Sequence, residues 1–122
     1  MRPTMIPVLR IGSTLLVSIQ IDLRDDVADA FQRDVLRRIE ETSAAALLID
    51  ITGLDMVDSY VARILVETAD MARLMGTETM LVGMRPEVAA TLVRMGFPLD
   101  GIRTARDLED GLARLKRHRG VL

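Results

Sequence analysis

Apolar and polar positions follow two different periods along this chain. Ile6 to Ile11 reads as a short strand, and Gly12-Ser13 suits a tight hairpin turn with glycine at the first central position. From Thr14 to Ile21, the apolar Leu15, Val17, Ile19 and Ile21 alternate with Leu16, Ser18 and Gln20. One face is wholly apolar and the other mixed, which predicts a half-buried strand. The period then becomes helical over Asp25 to Glu41. Val27, Phe31, Val35 and Ile39 recur at every fourth position, and Ala30 and Leu36 widen the stripe. Arg24, Arg33, Arg37, Arg38, Asp26, Asp29 and Asp34 fill the other side, which is expected to face solvent. Asp25 and Asp26 complement the positive end of the helix dipole.

Ala44 to Ile51 is almost continuously apolar and predicts a strand covered on both faces. A loop, Thr52 to Asp58, leads to a helix that opens at Ser59 and runs to about Met75. Its stripe is Val61, Ile64, Leu65, Thr68, Met71, Ala72 and Met75, and Gly76 stops it. Glu78 to Gly83 is another strand. Pro86 sits where a helix can begin without its N–H. That helix carries Val88, Leu92 and Met95 and ends at Gly96. Ile102 marks a short edge strand. Thr104 to Asp107 reads as a capping box with Asp in place of Glu. The last helix carries Leu108, Leu112 and Leu115, then frays into Lys116-Arg117-His118-Arg119. A hairpin followed by alternating helices and strands predicts an α/β fold with a mixed β-sheet.

Composition narrows the function. A chain of 122 residues with 49% apolar content is near the size of one domain, taken as 1–122, with no internal repeat or linker. A net charge of −2 lacks the basic excess of a dedicated nucleic-acid binder. There is no cysteine, so disulfides and thiolate metal sites are excluded. Phe31, Tyr60 and Phe97 are the only aromatic residues, too few for base stacking or a cationic cage. The eight methionines are expected to fill gaps in the core. No apolar run approaches the ~18 residues of a membrane span, and Met1-Arg2-Pro3-Thr4 opens no signal peptide. The expectation is a cytoplasmic chain without nucleic-acid or membrane partners.

Catalytic equipment is sparse. The Rossmann, P-loop and nucleophile-elbow fingerprints are absent, and the single histidine, His118, lies in the basic tail, where a solvated role is expected. Asp50, Asp55 and Asp58 cluster around one loop. They could hold a hard cation. The favoured reading is that Asp50 ends a strand, Asp55 makes a turn and Asp58 caps a helix. No cofactor, metal site or enzymatic activity is expected.

The informative segment is Asp50 to Tyr60, Asp-Ile-Thr-Gly-Leu-Asp-Met-Val-Asp-Ser-Tyr. It leaves a buried strand and enters a helix at Asp58-Ser59, and either residue could cap it. Helix physics favours Ser59 as a cap. A phosphate on that hydroxyl would meet the positive end of the helix dipole. It would also bring roughly −1.5 to −2 of charge beside Asp55 and Asp58. Such a group would change the surface and leave the fold intact. Thr52 and Ser18 are further candidates for phosphorylation on chemistry alone.

Several segments, in order, resemble a STAS domain: Ile6-Pro7-Val8-Leu9, the strand Leu15 to Gln20, Asp55-Met56-Val57-Asp58-Ser59 leading into a helix, Leu74-Met75-Gly76, Gly83 to Ala89, and Thr104 to Leu112. The resemblance spans nearly the whole chain and is nearest to RsbS-type stressosome scaffolds. It implies a STAS fold and a non-enzymatic phosphoprotein of the stress response, with Ser59 in the phosphoacceptor position. It also implies RsbR-type STAS paralogues, an RsbT-like serine/threonine kinase and an RsbX-like phosphatase as partners, with homodimerisation and a large co-assembly. At 122 residues, with no sensory extension in the sequence, the chain is expected to take the RsbS role and not the RsbR role. ATP and Mg²⁺ would belong to the kinase. Asp55, Met56, Val57, Asp58 and Tyr60 are the expected docking residues for that kinase. Alternatives are a free anti-anti-sigma factor with the same serine switch, a nucleotide- or small-molecule-binding α/β domain, and an enzyme built on the three aspartates.

Overall fold

A computed structural model describes residues 6–20, 23–97, 99 and 101–119, the side chains of 117–119 excepted. Strands β1 (Val8–Ile11) and β2 (Thr14–Ser18) form the hairpin. Helix α1 (Asp25–Thr42), β3 (Ala46–Asp50), α2 (Ser59–Leu74), β4 (Glu78–Val82), α3 (Pro86–Met95), β5 (Arg103–Ala105) and α4 (Leu108–Arg119) follow. The five strands form one sheet in chain order. β1 is antiparallel to β2, and each later pair is parallel. The expected mixed sheet is the one observed.

Strand register explains the layers. Leu15, Val17, Leu47, Ile49 and Leu81 belong to the main core, with Val27, Phe31, Val35 and Ile39 of α1, Val61, Ile64 and Leu65 of α2, and Val88 and Leu92 of α3. Their alternate neighbours Leu16, Ala46, Leu48, Met80 and Val82 form a smaller cluster with Leu115 of α4. One face of the sheet therefore carries three helices and the other carries α4. β3 is apolar throughout because it is covered on both faces, as expected. β2 is not half-buried: Thr14, Leu15, Leu16 and Val17 are all buried. The mixed composition of its second face conceals the cover there. Ile21 and Met1-Arg2-Pro3-Thr4 lie outside the described residues.

Other expectations shift once packing is known. The stripe of α1 also buries Ala28 and Asp34, while Leu36 packs against the core half-buried, as expected, and Ala30 is half-buried. Asp34 was expected on the solvent side, but it is buried and bonded to Arg37 at 2.9 Å. Met71, Met75 and Met95 do not fill the core; each is exposed, while Met80 is fully buried. Thr104 is committed to β5, so the capping box lies three residues later. Asp107 accepts from the Asp110 backbone N–H at 2.8 Å, and the Asp110 carboxylate accepts from the Arg106 N–H at 3.0 Å. The α4 backbone stays helical to Arg119 instead of fraying after Leu115. The expected solvation of His118 concerns a side chain outside the description.

Candidate functional site

The carboxyl ends of β3 and β4 present the loop that precedes α2. Asp50 closes β3 with an Asx turn: its Oδ1 accepts from the Thr52 N–H at 2.9 Å and from the Thr52 hydroxyl at 2.6 Å. Two glycines let the chain pass closely here. A Cβ on Gly53 would lie 2.6 Å from the Ile19 carbonyl oxygen. Gly83 has φ +76°, and a Cβ there would lie 1.9 Å from the Thr52 hydroxyl oxygen. Leu54 and Val57 then turn inward and are buried, while Met56 between them is 83% exposed.

Asp58, not Ser59, caps α2. Its carboxylate accepts from the Val61 N–H at 2.8 Å, and its carbonyl accepts from the Ala62 N–H at 2.9 Å. A carboxylate at this position also meets the positive end of the dipole. Ser59 becomes the first helical residue, exposed, and no described residue hydrogen-bonds its hydroxyl. The N–H groups of Ser59 and Tyr60 have no acceptor within the helix by its geometry.

The three loop aspartates do separate work. Asp50 holds Thr52, Asp58 caps α2, and Asp55 pairs with Arg85 at 3.1 Å. Among the described residues no group of three or more metal-ligating side chains converges. Of the expected docking residues, Asp55, Met56 and Asp58 are exposed and line one surface cleft of about 360 Å³. Val57 also lines it, although it is only 5% exposed and belongs to the main core. Leu23 and Val61 complete the cleft, and sequence reasoning missed both. Tyr60 points elsewhere: its hydroxyl donates to Asp29 of α1. That bond, with desolvation and the nearby charges of Asp29, Asp25 and Glu67, raises the phenol above its ordinary value of 10.0. Thr52 and Ser18, the other hydroxyl candidates, are both engaged, Thr52 with Asp50 and Ser18 with Gln20.

Comparison with known proteins gives this geometry a family. The STAS domain family matches residues 5–111. The chain belongs to the STAS family. The STAS chain superposes on RsbS from Moorella thermoacetica, solved with a serine replaced by glutamate. The TM-score is 0.86 and the identity 34%, covering 97% of this chain and 100% of that one. A chain from the structure entitled "Molecular architecture of the stressosome, a signal integration and transduction hub" gives a TM-score of 0.83 at 37% identity, over 93% and 98% of the two chains. The RsbT co-antagonist protein RsbRA of Bacillus subtilis is 33% identical over 85 residues, which are 70% of this chain and 31% of that protein. The chain thus matches about a third of the length of that longer relative. This STAS domain is related to the stressosome RsbS and RsbR proteins, within the partner-switching anti-anti-sigma family. Among the described residues no helix is long and apolar enough to cross a membrane.

Proposed function

We propose that this STAS chain is a non-enzymatic stressosome scaffold of the RsbS type. It captures an RsbT-like serine/threonine kinase and releases it when Ser59 is phosphorylated. RsbR-type STAS paralogues are its assembly partners, and an RsbX-like phosphatase resets it. The observation that carries this reading is the division of labour at the start of α2. Asp58 caps the helix, so the Ser59 hydroxyl is exposed and has no structural duty. A phosphate added there leaves the cap in place. The likeness to RsbS over the full length of that chain supports the same reading, as does the serine-to-glutamate change that protein carries.

The electrostatics follow from the loop. In the unmodified state, Met56 offers apolar contact beside the cleft, and Asp55 and Asp58 offer carboxylates to cations on the kinase. Phosphate adds roughly −1.5 to −2 of charge on the same short segment and is poorly accommodated at a desolvated interface. A loss of about 3 kcal/mol of binding weakens capture roughly a hundredfold, since each ~1.4 kcal/mol is tenfold.

The test is phosphorylation by the cognate RsbT-like kinase with ATP, read by intact mass and peptide mapping. One phosphate on Ser59, missing from Ser59→Ala, is the expected result. Ser59→Ala should also retain the kinase after ATP is added. Phosphate at Thr52 or Ser18 alone, or none, would overturn the proposal.

A further inference from the structure

Helix α3, like α1 with Arg24, begins at an arginine without a side-chain cap. Its N-cap position is held by Arg85, which has no acceptor to offer the free N–H groups, and no side-chain cap forms. Ser, Thr, Asp or Asn would stabilise this helix start better. The Arg85 side chain instead reaches across to the loop before α2. Its Nε donates to the Thr52 carbonyl at 2.9 Å, and its Nη1 lies 3.1 Å from Asp55 Oδ1. One planar guanidinium thus grips the loop at two points three residues apart. Lysine could satisfy one of these points but not both in this geometry.

The rest of the loop has the same character. Gly83, two residues before Arg85, leaves room for the Thr52 side chain, and Asp50 holds Thr52 from the strand end. The segment from Thr52 to Asp58 is therefore gripped from both β3 and the β4–α3 connection. It reaches Ser59 with Met56 outward and Leu54 and Val57 inward.

We infer that Arg85 is a positioning residue for partner recognition: it holds the loop in its docking shape and sets the direction of Asp55. This inference rests on the proposed kinase-docking role of the loop. Arg85 touches the loop and acts through it. Preorganisation of this kind raises affinity by removing the ordering cost from the binding step.

The experiment pairs a measurement without a partner to one with the kinase. Backbone amide exchange of residues 52–58 is followed by NMR in the full chain, in Arg85→Ala, Arg85→Lys and Asp55→Asn. Exchange in the loop should quicken about fivefold in Arg85→Ala, and less in Arg85→Lys and Asp55→Asn, each of which keeps one of the two contacts. Amides of β3 and β4 should not change, which reports an intact fold. Phosphorylation by the RsbT-like kinase should then show a KM raised several-fold at unchanged kcat in both Arg85 variants, the sign of weakened docking with intact chemistry. Unchanged loop exchange in Arg85→Ala would overturn the grip. Faster exchange with an unchanged KM, or full rescue by Arg85→Lys, would overturn the positioning role. If the wild-type chain is not phosphorylated at all, the kinase reading falls and takes the docking role with it. The exchange data then still decide whether Arg85 grips the loop.

Discussion

The carboxylate of Asp58 accepts a hydrogen bond from the backbone N–H of Val61 at 2.8 Å. That bond frees its neighbour Ser59 from capping duty. Capping and switching are thereby divided between adjacent residues, and each can be altered without the other.

Asp58→Ala should therefore lower stability by about 1 kcal/mol, or roughly 3–5 °C in Tm for a chain of this size. Ser59→Ala should stay within about 0.5 kcal/mol of wild type. Thermal or urea unfolding of the two variants checks this. A larger loss in Ser59→Ala would assign the cap to the serine.

Tyr60 is the only tyrosine, so phenolate absorbance reports it alone. Its hydrogen bond to Asp29, first among the causes, favours the protonated phenol, and its titration should lie above 10.0. Because the folded value is raised, the bond's contribution to stability is full below 10.0. It is lost as pH rises through the folded value. Asp29→Asn should move the absorbance midpoint back toward 10.0, and an unmoved midpoint would exclude Asp29 as the cause.

Asp110 responds at the acid end. The Arg106 N–H lowers its carboxyl below 3.8; burial opposes this, and Arg114 adds to the lowering. Its contribution is present above 3.8 and is lost as pH falls through the depressed folded value. The urea-midpoint difference between wild type and Asp110→Asn should be largest at neutral pH and shrink below 3.8. A difference independent of pH would show that charge is not involved.

Leu115 is fully buried and is the deepest α4 residue in the cluster with Leu16, Leu48, Met80 and Val82. Leu115→Ala should cost about 2–4 kcal/mol, within the range for cavity-forming core truncations. Amide exchange should quicken in α4 before α1 or α2, because α4 packs on its own side of the sheet. Equal exchange in all helices would show one cooperative unit.

Much of this fold is legible in local patterns. The fourfold recurrence of Val27, Phe31, Val35 and Ile39, the apolar run through Ile49, and the glycines after α2 and α3 each encode an element within a few residues of its own position. Asp55 to Ser59 likewise marks the candidate switch, because a strand end, a polar loop and a helix start meet there. Local patterns fail where packing, and not residue type, decides which side chains are buried. Asp34 looks solvent-facing by its type but is buried. Met71 and Met75 look like core residues, yet the helix turns them outward. Val57 looks exposed in a polar loop, yet it is only 5% exposed.

The chain's own periodicities determine the order and kind of its elements, since backbone hydrogen bonding and side-chain alternation act over a few residues. Tertiary structure alone decides that α4 covers the second face of the sheet, that Arg85 grips a loop more than thirty residues before it, and that Asp58 takes the cap from Ser59. The first two depend on which surfaces meet after the chain has closed on itself. The third depends on which of two adjacent oxygens the loop aims at the Val61 N–H.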